Sequence, residues 1–194
     1  MNIVEPYAKA RNLYNRDTGI ALLREVEWIG RISHRSEEAQ TDSSWERFIK
    51  AVVLGHGDWS ITEHVSVTVD ALVDRGITHE WVRHRIGAYT QESTRFVNYE
   101  KKRPAEFIRP DLSGPGDLEW EWAIRQAEES YRTLLSKGCS PQIARSVLPN
   151  ALASRLIVSY NLRNWRHFFL MRTTREAHPA MRQVTIPLLK EFQK

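Results

Sequence analysis

From Thr18 to Ser33 the apolar side chains Ile20, Leu23, Val26, Ile29 and Ile32 recur at three-residue steps with Leu22 beside them, and this period predicts an amphipathic helix. A second helix is expected from about Asp42, where Ser43 and Glu46 have the spacing of a capping box, up to the glycines Gly55 and Gly57. His56 to His64 then reads as a connection. At Val65 the period becomes two. Val65, Val67, Val69, Ala71 and Val73 alternate with Ser66, Thr68, Asp70, Leu72 and Asp74, the pattern of a half-buried strand in an antiparallel sheet, closed by Gly76. Thr78 to Ile86 reads as a short helix whose last turn holds Arg83, His84 and Arg85, and the polar, aperiodic Tyr89 to Tyr99 as a loop leading into extended chain.

Pro110 to Asp117, with two prolines and two glycines, reads as a surface loop. Leu118 to Lys137 follows as a long helix stopped by Gly138, and Ser140 with Pro141 marks a fresh helix start that Pro149 ends. Arg155 to Asn161 is β-rich, Leu162 to Thr173 helical, and Ala177 to Phe192 a terminal helix with an expected kink at Pro187. Helices alternating with a few strands, without equal βαβ units, predict an α+β fold. It should form a single domain over residues 1–194, a mostly antiparallel sheet flanked by helices.

Composition narrows this picture. With 194 residues, 41% hydrophobic, the chain can build one core, and its net charge of +4, mixed along the sequence, suits an anionic small molecule or a nucleic acid. Cys139 is the only cysteine, which leaves no internal disulfide and no cysteine-rich metal site and suggests a reducing, cytoplasmic setting. No apolar run approaches the roughly 20 residues of a membrane span, and the N-terminus lacks a secretory layout, so a soluble protein is expected. The seven tryptophans have no common spacing and read as core and interface anchors, with a base-stacking platform as the alternative. His56, His64, His79 and His84 form no compact zinc pattern, and His178 stays without a role.

The candidate chemistry lies in Trp81 to Tyr99, WVRHRIGAYTQESTRFVNY, which concentrates arginines, a histidine, hydroxyls and amides suited to phosphate. The plainer alternative is a basic triplet that complements a helix dipole. Arg83-His84-Arg85 followed after seven residues by Ser93 and Arg95 resembles the signature of flavin-dependent thymidylate synthases. His64 after Glu63 lies upstream, and Ala144-Arg145 with Leu148-Pro149, Asn161-x-Arg163, His167-Phe168 and Leu170-x-Arg172 lie downstream in matching order. The resemblance runs from about Ser33 to Arg182.

That resemblance implies a homotetramer with active sites at subunit contacts, each holding FAD, deoxyuridylate (dUMP) and a folate. Ser60, Arg83, His84, Arg85, Asn161, Arg163 and His167 resemble its flavin contacts. Glu80, Arg83, Gln91, Ser93, Thr94, Arg95 and Arg145 resemble its dUMP pocket, and Arg172 the residue that meets the uracil and helps it ionise. The implied reaction is reductive methylation of dUMP to dTMP, with methylenetetrahydrofolate as one-carbon donor and FAD with NADPH as reductant. The residue types suit these roles, because a nucleotide phosphate can be held by Ser93, Arg95 and Arg145 through charge-assisted hydrogen bonds, and an arginine over the uracil carbonyl favours an electron-rich base. There is no GxGxxG turn for a Rossmann site.

Cys139 lies outside every matched block and reads as structural, so no covalent cysteine nucleophile is expected, and Ser93 reads as a phosphate ligand. Some positions depart from the family pattern: Asp58 stands where histidine is usual, Ala88, Thr90 and Gln91 where serine, asparagine and glutamate are, and Glu80 where glutamine is. These departures keep open a flavin-dependent pyrimidine-nucleotide hydroxymethylase of the same fold. A non-catalytic nucleic-acid-binding module is the rival from another class, although separated arginines favour a pocket over a stripe.

Overall fold

The computed structural model describes residues 1–101, 103–112 and 116–194. In chain order come β1 (Asn2–Ile3), β2 (Tyr7–Ala10), α1 (Arg16–Ile32), a 3-10 turn (Glu37–Ala39) and α2 (Ser44–Phe48), which runs on as a π-helix over Ile49–His56. After a 3-10 helix (Trp59–His64) follow β3 (Ser66–Asp74), α3 (Arg75–Trp81), β4 (Ala88–Gln91), β5 (Glu106–Phe107), α4 (Asp117–Ser136) and α5 (Pro141–Ala144). A 3-10 turn (Arg145–Val147), β6 (Ala153–Asn161), α6 (Leu162–Arg172) and α7 (Pro179–Phe192) complete the chain. The fold is α+β, with a four-stranded antiparallel sheet in the order β2-β3-β6-β4. β1 and β5 pair in parallel, Asn2 opposite Glu106 and Ile3 opposite Phe107.

Contacts gather the chain into two compact units. The first comprises Met1–Tyr7, Ala71–Arg83 and Thr90–Ile157. Its core joins Phe107, Ile124, Tyr131, Ala144 and Leu152, and Met1 packs against it while its amino group pairs with Glu128 at 2.8 Å. The second comprises Ala8–Asp70, His84–Tyr89 and Val158–Lys194. There Val26, Val53 and Val65 form a core with Leu22, Ile29, Trp59, Ile61 and Leu162. Trp165 stacks on Phe169 with ring centres 5.6 Å apart and donates from Nε1 to the Val67 carbonyl at 2.9 Å, which fixes α6 to β3.

Local chemistry sets the element ends. Asn15 and Thr18 form a reciprocal capping box, so α1 starts two residues before the predicted Thr18. The expected box at Ser43 and Glu46 does not form: Ser43 makes no cap bond, and Ser44 Oγ instead accepts from the Thr41 amide at 2.8 Å. The expected connection of His56–His64 is largely helical, with Gly57 in the left-handed region at φ 86° where the π-helix ends.

The apolar face of β3 is as expected, with Val65, Val67, Val69, Ala71 and Val73 all buried, but Asp70 on the opposite face is buried as well. Gly76 does not close the strand. Asp74 Oδ1 accepts from the Ile77 amide at 2.9 Å and caps α3, so Gly76 falls in that helix's first turn, where a Cβ would lie 3.0 Å from the capping carboxylate. Consequently α3 ends at Trp81, and Arg83, His84 and Arg85 lie beyond its C-cap instead of in a last helical turn. The expected loop from Tyr89 begins in β4, one of the two edge strands of the four-stranded sheet. Part of the expected loop over Pro110 to Asp117, residues 113–115, lies outside the described residues.

Gly138, at φ 86°, ends the long helix as expected, and Cys139 follows it, its amide donating to the Leu134 carbonyl at 3.0 Å. His178 gains a place, capping α7 through an Ala180 amide bond to Nδ1 of 3.2 Å. The helix continues through Pro187 as one element. Of the tryptophans, Trp81 and Trp165 are buried core residues, whereas Trp28 and Trp122 are exposed.

Candidate active site

In the second unit the matched residues meet around His84. Asn161 ends β6 and caps α6, its Oδ1 accepting from the Asn164 amide at 2.9 Å. The helix so started carries His167, Phe168 and Arg172, the last two four residues apart and so on one face. Arg172 Nε donates to His84 Nε2 at 2.9 Å, the His84 ring lies edge-on to Phe168 at 5.0 Å, and His167 stands 5.9 Å away. Accepting at Nε2 assigns the His84 proton to Nδ1. Burial, then the Arg172 and His167 charges, lower the His84 pKa from 6.5 to about 4, so the imidazole is neutral at neutral pH.

The other matched positions of this unit have separate surroundings. Arg163 pairs with Glu63, and the neighbouring Arg166 guanidinium lies 4.3 Å from the Trp59 ring centre. Ser60, on the 3-10 helix after Asp58, lines a cavity of about 370 Å³ together with Arg31, His34, His56 and Asp58. Arg85 is exposed and, among the described residues, forms no ion pair.

In the first unit, two stretches distant in sequence converge. Arg145 Nη1 donates to the buried Thr94 Oγ1 at 2.9 Å, and Arg95 Nε to Gln142 Oε1 at 3.2 Å. Ser93 opens the turn, its Oγ accepting from the Arg95 amide at 3.3 Å. The Arg145 guanidinium is thus held on the Thr94 hydroxyl and the Arg95 guanidinium on the Gln142 side chain, residue types that can bind a dianionic phosphate. Tyr99 donates to Glu92 at 2.9 Å and closes the segment that carries the turn. Gln91 Nε2 donates to Thr78 Oγ1 at 3.0 Å and Ser154 Oγ at 3.1 Å, which ties β4 to α3 and β6. Glu80 lies in the last turn of α3, and Arg83 is exposed just past it, its amide donating to the Glu80 carbonyl at 3.3 Å.

Sequence reading gave no role to Tyr89, Tyr160, Gln142 or, beyond its place before His64, Glu63, all of which contact matched residues. No spacing rule could find them, since Glu63, Gln142 and Tyr160 meet residues far away in sequence, and Tyr89 meets the main chain of His84 through a hydroxyl that no motif marks.

The α+β fold thus carries one arginine pair at the turn after β4 and, in the other unit, a neutral imidazole seated on a guanidinium. Residues 9–194 match the family described as Thymidylate synthase complementing protein, and the chain belongs to that family. It is 32% identical over 184 residues to a flavin-dependent thymidylate synthase of Pyrococcus abyssi, covering 89% of this chain and 75% of that relative. A protein of the same name from Mycobacterium sp. (strain JLS) is 33% identical over 194 residues, covering 86% and 74%. One from Saccharolobus solfataricus is 33% identical over 159 residues, covering 81% of this chain but 61% of the relative. The family bears out the resemblance read from the sequence, and with it the expectation of an enzyme. Among the described residues, no helix is long and apolar enough to cross a membrane.

Proposed function

We propose that this chain is a flavin-dependent thymidylate synthase that converts dUMP to dTMP, taking its one-carbon unit from methylenetetrahydrofolate and its reducing equivalents from NADPH through FAD. The observation that carries the reading is the 2.9 Å bond from Arg172 to the neutral His84. It anchors the Arg172 guanidinium at Nε, and an anchored guanidinium suits a group that stabilises charge on a uracil carbonyl. The turn of Ser93, Thr94 and Arg95 with Arg145 would hold the nucleotide phosphate, and Glu80, Gln91 and Arg83 would complete that pocket.

A flavin fits the residues present. Arg83 and Arg85 are exposed and without acidic partners among the described residues, a ready match for a pyrophosphate. Ser60, His84, Asn161, Arg163 and His167 would share in holding it. When bound, the flavin supplies the redox chemistry, and the protein's part is placement and charge stabilisation. His84 orients Arg172, and Arg172 favours the ionised base. Cys139, at the helix end after α4 and outside the matched blocks, is given no part as a nucleophile in this reading.

The exposed Ile86, Leu170 and Met171 support a homotetramer with active sites at subunit contacts, as burial there would remove apolar surface from water. Each compact unit is drawn from three separate segments, which supports one functional domain over residues 1–194. The single cysteine suits the cytoplasm.

The test is the mass of the nucleotide formed from dUMP, methylenetetrahydrofolate, FAD and a reductant without oxygen. A methylated product supports the synthase. A hydroxymethylated product would put the chain with the hydroxymethylases and direct attention to Asp58, Ala88 and Gln91; binding of single-stranded DNA without any turnover would sink both. Arg172→Ala should keep flavin and lose turnover.

A further inference from the structure

His84 is held from a second side by a tyrosine pair that belongs to none of the matched positions. Tyr89 on β4 and Tyr160 on β6 place their hydroxyls 2.6 Å apart with rings edge to face at 5.8 Å. The Tyr89 hydroxyl donates to the main-chain carbonyl of His84. A phenol has one proton, so the hydrogen between the two tyrosines comes from Tyr160. Burial holds the Tyr89 phenol above its ordinary range, which keeps it a protonated donor at neutral pH.

Gly87 makes the arrangement possible, because any Cβ there would collide with the Tyr160 ring. Nearby, the Ile86 carbonyl accepts from Asn164 Nδ2 at 2.7 Å, so the short segment between α3 and β4 is tied to α6 as well. Tyr160 also lies 4.6 Å from Trp165, ring centre to ring centre, which sets its hydroxyl from the core outward.

We propose that the Tyr89–Tyr160 hydroxyl pair is a positioning device that fixes the His84 backbone and thereby aims its imidazole at Arg172. The catalytic consequence rests on the reading of Arg172 as the uracil contact. With the carbonyl clamped by Tyr89, the ring can only settle against Phe168 and Arg172, at 5.0 Å and 2.9 Å. Without the clamp the segment is free to shift, and a ring that moves out regains water and its ordinary basicity. The groups facing His84 are Arg172, His167 and Phe168 from α6, Tyr160 from β6 and, through the main chain, Tyr89 from β4.

The experiment compares parent protein with Tyr89→Phe and Tyr160→Phe by NMR titration of labelled histidines in the full chain, alongside flavin content and turnover. In the parent His84 should titrate at about 4; in both variants it should move up toward 6.5, with turnover reduced roughly five- to tenfold. Tyr160→Phe keeps the ring and removes the donor to Tyr89, so it carries the test if Tyr89→Phe fails to fold. Parent titration and parent turnover in a folded variant would overturn the proposal, as would loss of flavin with an unmoved His84. A shifted titration at parent turnover would uphold the positioning and instead remove Arg172 from the chemistry.

Discussion

Arg145 reaches Thr94 across fifty-one residues of sequence, its Nη1 donating to the threonine hydroxyl at 2.9 Å. A guanidinium anchored at one nitrogen on a buried hydroxyl has lost much of its rotational freedom before any ligand arrives. Arg145→Ala should therefore weaken dUMP binding by about 2 kcal/mol, roughly 30-fold in Kd. Calorimetric titration with dUMP gives the number, and flavin content should stay at the parent value. Unchanged dUMP affinity would move the phosphate site away from Arg145.

Asn161 has two candidate duties, helix cap and flavin contact, and one substitution separates them. Asn161→Asp keeps an oxygen for the Asn164 amide and adds a negative charge. Its urea midpoint should match the parent while flavin binding falls. Asn161→Ala should lose about 1 kcal/mol of stability with the cap. An Asp variant that binds flavin normally would leave Asn161 as a cap alone.

The pH dependence of stability follows from His84. Above 6.5 its imidazole is neutral in folded and unfolded chains alike, and the stability is fully present. As the pH falls from 6.5 toward 4 the unfolded chain takes up a proton that the folded chain refuses, so stability declines across that window and the loss is complete below it. Urea unfolding at about pH 7 and about pH 5 should show a smaller drop for His84→Gln than for the parent. Equal drops would assign the decline to other groups.

Gly30 is buried in α1 with no room for a methyl group: a Cβ would lie 2.7 Å from Phe48 Cζ and 2.9 Å from Ile61 Cδ1. Neither a ring nor a packed isoleucine gives way cheaply. Gly30→Ala should cost about 1–3 kcal/mol despite alanine's better helix propensity. A urea midpoint at or above the parent's would show that α1 can back away from the 3-10 helix.

Periodicity located α1 and β3, because the side chains that must leave water repeat at the step of the backbone that carries them, while breaker residues and composition placed α4, β6, α6 and α7. The spacing of Arg83 to Arg95, with the blocks around it, carried the resemblance that implied the residues of the candidate site. Ends were decided otherwise: Asp74 began a helix where Gly76 suggested a stop, and Ser43 left its cap unmade, since single side-chain hydrogen bonds worth about 1 kcal/mol choose between registers that hydrophobic spacing leaves equal. The partners were beyond sequence altogether. Arg172 meets His84 across eighty-eight residues and Tyr89 meets Tyr160 across seventy-one. A polar side chain's identity says what it can bond, but only the closed fold, with buried donors and acceptors that must be satisfied, decides which one it finds.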